Sequence, residues 1–123
     1  MAYECDGCAF ELDTDGRPAP THADGAPEGL EILATAPAHL WGREEQPSRY
    51  AGEPGDLEMA SLAVFGDATP EHLDELSDGH AVLAAFERPG GTVVNVGVTD
   101  WVLGLGDPVV DRITRNALDR LSR

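Results

Sequence analysis

The chain has 123 residues, 41% of them hydrophobic, and carries 23 acidic against 8 basic side chains for a formal net charge of −15. A chain this short holds one modest core, so acidic a balance repels phosphate backbones and anionic lipid, and no apolar run reaches the ~20 residues of a membrane helix. Nucleic-acid and membrane binding are therefore disfavoured. With no basic, apolar leader at the start, the expected setting is a cytoplasmic, single-domain protein over residues 1–123.

The chain opens on Tyr3-Glu4-Cys5-Asp6-Gly7, polar groups and a glycine that read as a turn following further structure. Cys5 and Cys8 are spaced C-x-x-C, but a zinc ribbon needs a second such pair, and His22, His39, His72 and His80 have no recognised ligand spacing. Phe10-Glu11-Leu12 alternates like a strand, where a thioredoxin-type site needs a helix. Two reduced cysteines in a loop are expected.

Asp13-Thr14-Asp15-Gly16 is a hairpin turn signal. As a calcium loop it fails, because its glycine comes too early and the twelfth position is Asp24 rather than glutamate. Arg17 to Glu28, rich in Pro, Gly, Ala and Asp, predicts a long surface loop that is neither helix nor interior strand. Gly29 to Ala36 predicts a strand with Leu30 and Ile32 on one side and Glu31 and Leu33 on the other, ended by Pro37. His39, Leu40 and Trp41 form a short apolar patch with a polar handle, either lining a pocket or serving as a partly buried hinge.

Residues 42–56 are the most flexible stretch by composition, a disordered segment or mobile flap. Leu57 to Phe65 predicts a strand. Thr69-Pro70-Glu71 has the cap and first-position proline of a short helix, with Leu73 and Leu76 facing inward and Asp78-Gly79 as the stop. Ala81 to Glu87 is apolar enough for a buried strand, returned by Arg88-Pro89-Gly90-Gly91 into Thr92 to Val98, which is β-branched at five of seven positions. Both strands are apolar on both faces and are placed centrally in the sheet.

Polar groups gather where the last strand ends, in Asn95 to Trp101. The C-terminal end of a buried strand is where α/β sheets most often bind ligands; the plainer reading is that Thr99 and Asp100 cap a turn and Trp101 fills the core. Asp107 and Pro108 then start an amphipathic helix with Val109, Val110, Ile113, Ala117, Leu118 and Leu121 on one face and Arg112, Arg115, Asp119 and Arg120 on the other. Gly104-Leu105-Gly106 has neither the length nor the lysine of a phosphate loop. The fold class is α/β of α+β-like arrangement: a sheet with a C-terminal hairpin pair covered by the terminal helix, and long loops. One sheet face lacks a cover, so a homo-oligomer or a partner chain is expected.

Three runs, YECDGCAFELDTDGRPAPT, LEILATAPAHLW and GGTVVNVGVTDWVLGLGDPVVDRITRNALDRL, span most of the chain. In this order they resemble the C-terminal segment of the large subunit of the N,N-dimethylformamidase family. The residues that carry the resemblance are the Tyr3-Glu4-x-Asp6-Gly7 start and Gly97-x-x-Asp100-Trp101 followed by the Ile113-Thr114-Arg115-Asn116 helix. Family members are several times longer, with a catalytic domain resembling class I glutamine amidotransferases and an iron held by two tyrosines and a glutamate. The resemblance implies that those iron ligands lie upstream of the residues present here. This chain's only tyrosines, Tyr3 and Tyr50, do not rebuild the site.

By the same resemblance Glu4 is the candidate acid/base or positioning group, and Tyr3, Asp6, His39, Trp41, Asn95, Thr99, Asp100 and Trp101 are substrate-side candidates. Two functions follow: a C-terminal piece of an amidohydrolase without catalysis of its own, or a non-catalytic assembly module that packs its sheet and terminal helix against a partner.

Overall fold

An aspartate that can accept two backbone N–H groups, followed by a glycine free to adopt positive φ, closes a tight hairpin. In a computed structural model that describes residues 5–45 and 54–122, Asp13 Oδ1 accepts from the N–H groups of Asp15 and Arg17, both at 2.8 Å, and Gly16 has φ +76°. The turn joins β1 (Phe10–Leu12) to β2 (Pro18–Pro20) in antiparallel register, Phe10 opposite Pro20 and Leu12 opposite Pro18. The expected loop from Arg17 to Glu28 thus begins with a strand. Prolines are tolerated there because a two-stranded ribbon leaves each strand an edge that needs no donor. The rest of that loop is tied back by Asp24, whose carboxylate accepts from Ala9 N–H at 2.7 Å and Ala26 N–H at 3.2 Å.

The larger sheet has three strands in the order β3 (Glu31–His39), β4 (Asp78–Arg88), β5 (Gly91–Asn95). Pro37 does not end β3, which runs on to His39; at the sheet's edge a missing N–H costs no ladder bond when it faces outward. β4 is central, and its Ala81, Val82, Leu83, Ala84 and Ala85 are the buried apolar residues among those described. β5 pairs antiparallel with it, Ala84 opposite Asn95 and Arg88 opposite Gly91, through the expected hairpin. β5 is itself an edge strand rather than a central one, with Val93 exposed.

It also stops at Asn95, short of the expected Val98. Gly97 takes φ +73° there, a conformation that leaves the strand, and a Cβ on it would collide with the Val82 carbonyl.

Leu57 to Phe65 is not a strand but the body of helix α1 (Asp56–Phe65). Its Leu, Glu, Met and Ala residues are strong helix formers, Asp56 and Glu58 suit the positive end of the dipole, and Gly66 at φ 85° closes the last turn by bonding its N–H to the Leu62 carbonyl. Ser61 is fully buried with its hydroxyl donated to the Asp67 carbonyl at 2.8 Å. α1 packs on α2 (Pro70–Ser77), which starts as its residues dictate, with Thr69 Oγ1 accepting from His72 N–H and Pro70 in the first turn. Leu73 and Leu76 are half-buried, and Asp78 passes directly from the helix end into β4.

Beyond β5 come a 3-10 turn (Trp101–Gly104) and α3 (Pro108–Leu121), capped by Asp107 Oδ1, which accepts from Val109 N–H at 2.8 Å and Val110 N–H at 3.3 Å. α3 packs on β5 and on the 3-10 turn. Its covered side is Val110, Ile113, Thr114 and Ala117, whereas Val109, Leu118 and Leu121, expected to face inward, are exposed. The apolar arc is wider than the strip that the short β5 and a four-residue turn can cover. The fold is therefore of the α+β class, with two antiparallel sheets, three α-helices and α3 at the C-terminal end among the described residues. The chain groups into two compact units, one formed by residues up to 36 together with those from 80 onward, the other by residues 37–79. No helix is long and apolar enough to cross a membrane among the described residues.

Candidate functional site

The segment Cys5 to Cys8 is laced into the sheet end rather than lying free. Cys5 forms an antiparallel bridge with Val98, Asp6 N–H donates to the Gly97 carbonyl at 2.9 Å, and Val82 N–H donates to the Asp6 carbonyl at 2.9 Å. Gly7 is required by the close approach, since a Cβ there would stand 2.7 Å from the His80 carbonyl oxygen. Asp6 is thereby held, backbone first, between β4 and the turn after β5.

Its carboxylate then meets a side chain 89 residues away in sequence: Asn95 Nδ2 donates to Asp6 Oδ2 at 3.2 Å. The other end of the same carboxamide, Asn95 Oδ1, accepts from Gly97 N–H at 2.9 Å, which fixes which way the amide points. Both side chains remain exposed. The second Asn95 Nδ2 hydrogen can donate to a carbonyl oxygen, and Asp6 Oδ1 can accept a proton-bearing group. The pair can therefore bind and orient a small polar ligand.

The other candidates fall differently. Thr99 is exposed and Asp100 half-buried, in the turn that follows; the Asp100 carbonyl accepts from Leu103 N–H at 3.0 Å, and its side chain makes no cap. Trp101 is half-buried and donates its indole N–H to Thr114 Oγ1 at 2.9 Å, while that hydroxyl donates to the Val110 carbonyl at 2.8 Å, so the indole serves as a strut between the 3-10 turn and α3. Tyr3 and Glu4 lie outside the described residues, as do Tyr50 and residues 46–53 of the expected flap.

His39 and Trp41 belong to the second unit. There His39 Nε2 is 3.6 Å from Glu45 Oε1, and the Trp41 carbonyl accepts from Leu57 N–H at 3.1 Å. Among the described residues, Asp6 and Asn95 are candidates that a side-chain hydrogen bond joins directly.

Three groups escaped the sequence reading. Gly97 could have been found from the Asn-x-Gly spacing of a turn. Thr114 had no signal, because nothing local says that an indole 13 residues earlier will reach it. The third is the pair of Asp67 and His72 in the second unit, 2.6 Å apart, with the imidazole stacked on Phe65 at 4.2 Å between ring centres. His72 beside Asp67 holds that carboxyl below its usual range, aided by the Thr69 N–H. All its partners belong to the corner between α1 and α2, so the pair fastens that corner.

Burial, and secondarily the Asp24 charge, push the Cys8 thiol up, away from the reactive thiolate. No group of three or more His, Cys, Asp or Glu side chains that could hold a metal comes together among the described residues.

No protein-family model matches the chain, and no curated protein or solved structure matches it either.

Proposed function

We propose that this chain is the C-terminal segment of a dimethylformamidase-like cytoplasmic amidohydrolase, forming one wall of an amide pocket without hydrolytic activity of its own. The observation that supports this most is the Asp6–Asn95 pair: two candidates from opposite ends of the sequence meet at 3.2 Å with a free N–H left to donate. An amide carbonyl is an acceptor of the kind that N–H orients. The iron and its ligands come from the catalytic region of such an enzyme, and Glu4 is the residue proposed to assist there.

The test is release of dimethylamine from N,N-dimethylformamide, measured for the chain alone and for the chain added to a catalytic region of that enzyme class. The chain alone should be inactive and carry no iron by elemental analysis. In the reconstituted enzyme, Asn95→Ala or Glu4→Gln should lower kcat/KM about tenfold or more, roughly 1.4 kcal/mol of transition-state binding. Turnover by the chain alone, or a reconstituted enzyme indifferent to both substitutions, sinks the proposal.

A second reading, the non-catalytic assembly module, is favoured by apolar side chains left bare on the 3-10 turn and α3, with Leu103 78% and Val109 65% exposed. It predicts no activity in any mixture.

A further inference from the structure

Among the described residues, β3 leaves one edge of the three-stranded sheet open. It is the terminal strand in the order, and among the described residues none of its backbone groups from 31 to 39 bonds to a loop or a side chain outside the sheet. Edge strands are normally guarded by lysine, bulges or inward charges, because free N–H and C=O groups template another strand. β3 has nine residues, EILATAPAH, charged or titratable only at its ends, Glu31 and His39. Pro37 is its one guard, and it withholds at most one hydrogen bond per strand. Alternation puts Glu31, Leu33, Thr35, Pro37 and His39 on one face, and all five are exposed.

We propose that β3 pairs antiparallel with β3 of a second copy of this chain, about a two-fold axis at Thr35, so that two three-stranded sheets become one of six. The occupant follows from the strand's own pattern read backwards. In this register Glu31 stands opposite His39 of the other copy, Leu33 opposite Pro37, and Thr35 opposite Thr35. Acid meets imidazole, apolar meets apolar, hydroxyl meets hydroxyl, and each pair occurs on both sides of the axis as an isologous contact requires. Shifting the axis to Ala34 leaves Glu31 opposite Pro37 and His39 without a partner in the strand, and shifting it to Ala36 puts His39 opposite Leu33 and leaves Glu31 without one. His39 already lies 3.6 Å from Glu45 of its own chain, so its imidazole would stand between two carboxylates. Main-chain bonds supply the affinity and these side-chain pairs the register. The pairing does not depend on the amidohydrolase reading.

The experiment is sedimentation velocity on the full chain at about 0.15 M salt, where the mutual repulsion of two −15 chains is largely screened. The expected species has twice the 13.0 kDa monomer mass. Thr35→Arg places two guanidinium groups abreast at the axis and should weaken the dimer at least tenfold. Glu31→His alone should weaken it as well, and adding His39→Glu should restore it by re-forming both acid–imidazole pairs in reverse. Circular dichroism of each variant confirms that it is folded. A wild-type monomer up to about 100 µM, a dimer indifferent to Thr35→Arg, a double variant no tighter than the single one, or open-ended association would each overturn the proposal.

Discussion

Gly97 shows how one residue sets the geometry of the candidate site. Its φ of +73° sends the chain away from β5, its N–H fixes the Asn95 carboxamide, and its carbonyl receives Asp6 N–H. A side chain is excluded twice, by the backbone conformation and by the Val82 carbonyl against which a Cβ would collide. Gly66 provides the comparison, with φ +85° but nothing within 4 Å of the position a Cβ would take. Gly66→Ala should therefore cost only the conformational penalty, about 1 kcal/mol, while Gly97→Ala should cost on the order of 2–4 kcal/mol because Val82 or Asp6 must also move. Urea unfolding of both variants checks this, and equal losses would show that the contact with Val82 relaxes freely.

Among the elements, α3 separates what a pattern says from what packing permits. Asp107 and Pro108 start it where their chemistry requires, but of the six apolar residues assigned inward only Val110, Ile113 and Ala117 are covered. Ile113→Ala should cost about 1–3 kcal/mol, whereas Leu118→Ala, at a side chain 59% exposed, should cost less than about 1 kcal/mol. Chemical denaturation that ranks them the other way would place the helix on its opposite face. The same contrast explains what was legible in the sequence. Caps and turns were, because Asp13, Thr69 and Asp107 bond to backbone within four residues of themselves. The run 57–65 was not, since its apolar residues suit a buried strand and a helix alike and only the glycines at 55 and 66 mark its ends. Nor was the edge position of β5, or the meeting of Asp6 with Asn95, because strand order and a contact across 89 residues are decided by the whole sheet.

For the molecule as a whole, charge works in two opposed ways. Three carboxyls are held below their usual range by the fold: Asp24 chiefly by Ala9 N–H, Asp67 chiefly by His72, and Asp111 chiefly by Arg115. A depressed folded-state value favours folding at every pH above the unfolded value near 3.9, and that contribution disappears as pH falls through the folded values. Against this, 23 acidic and 8 basic side chains repel one another at pH 7 with a net −15, a repulsion that fades towards the pI near 4.3. Acidification from pH 7 should first raise the Tm as repulsion falls, then lower it below about pH 4 as these carboxyls protonate. Salt distinguishes the two causes. Going from about 0.01 M to about 0.15 M shortens the screening length from about 30 Å to about 8 Å, which weakens the spread-out repulsion far more than hydrogen bonds of 2.6 Å at Asp67 and 2.7 Å at Asp24. The Tm at pH 7 should therefore rise with salt, and the Tm at pH 4.5 should barely move. A Tm at pH 7 that falls on adding salt would mean that local ion pairs such as Arg115–Asp111, and not the net charge, set the electrostatic balance of the fold.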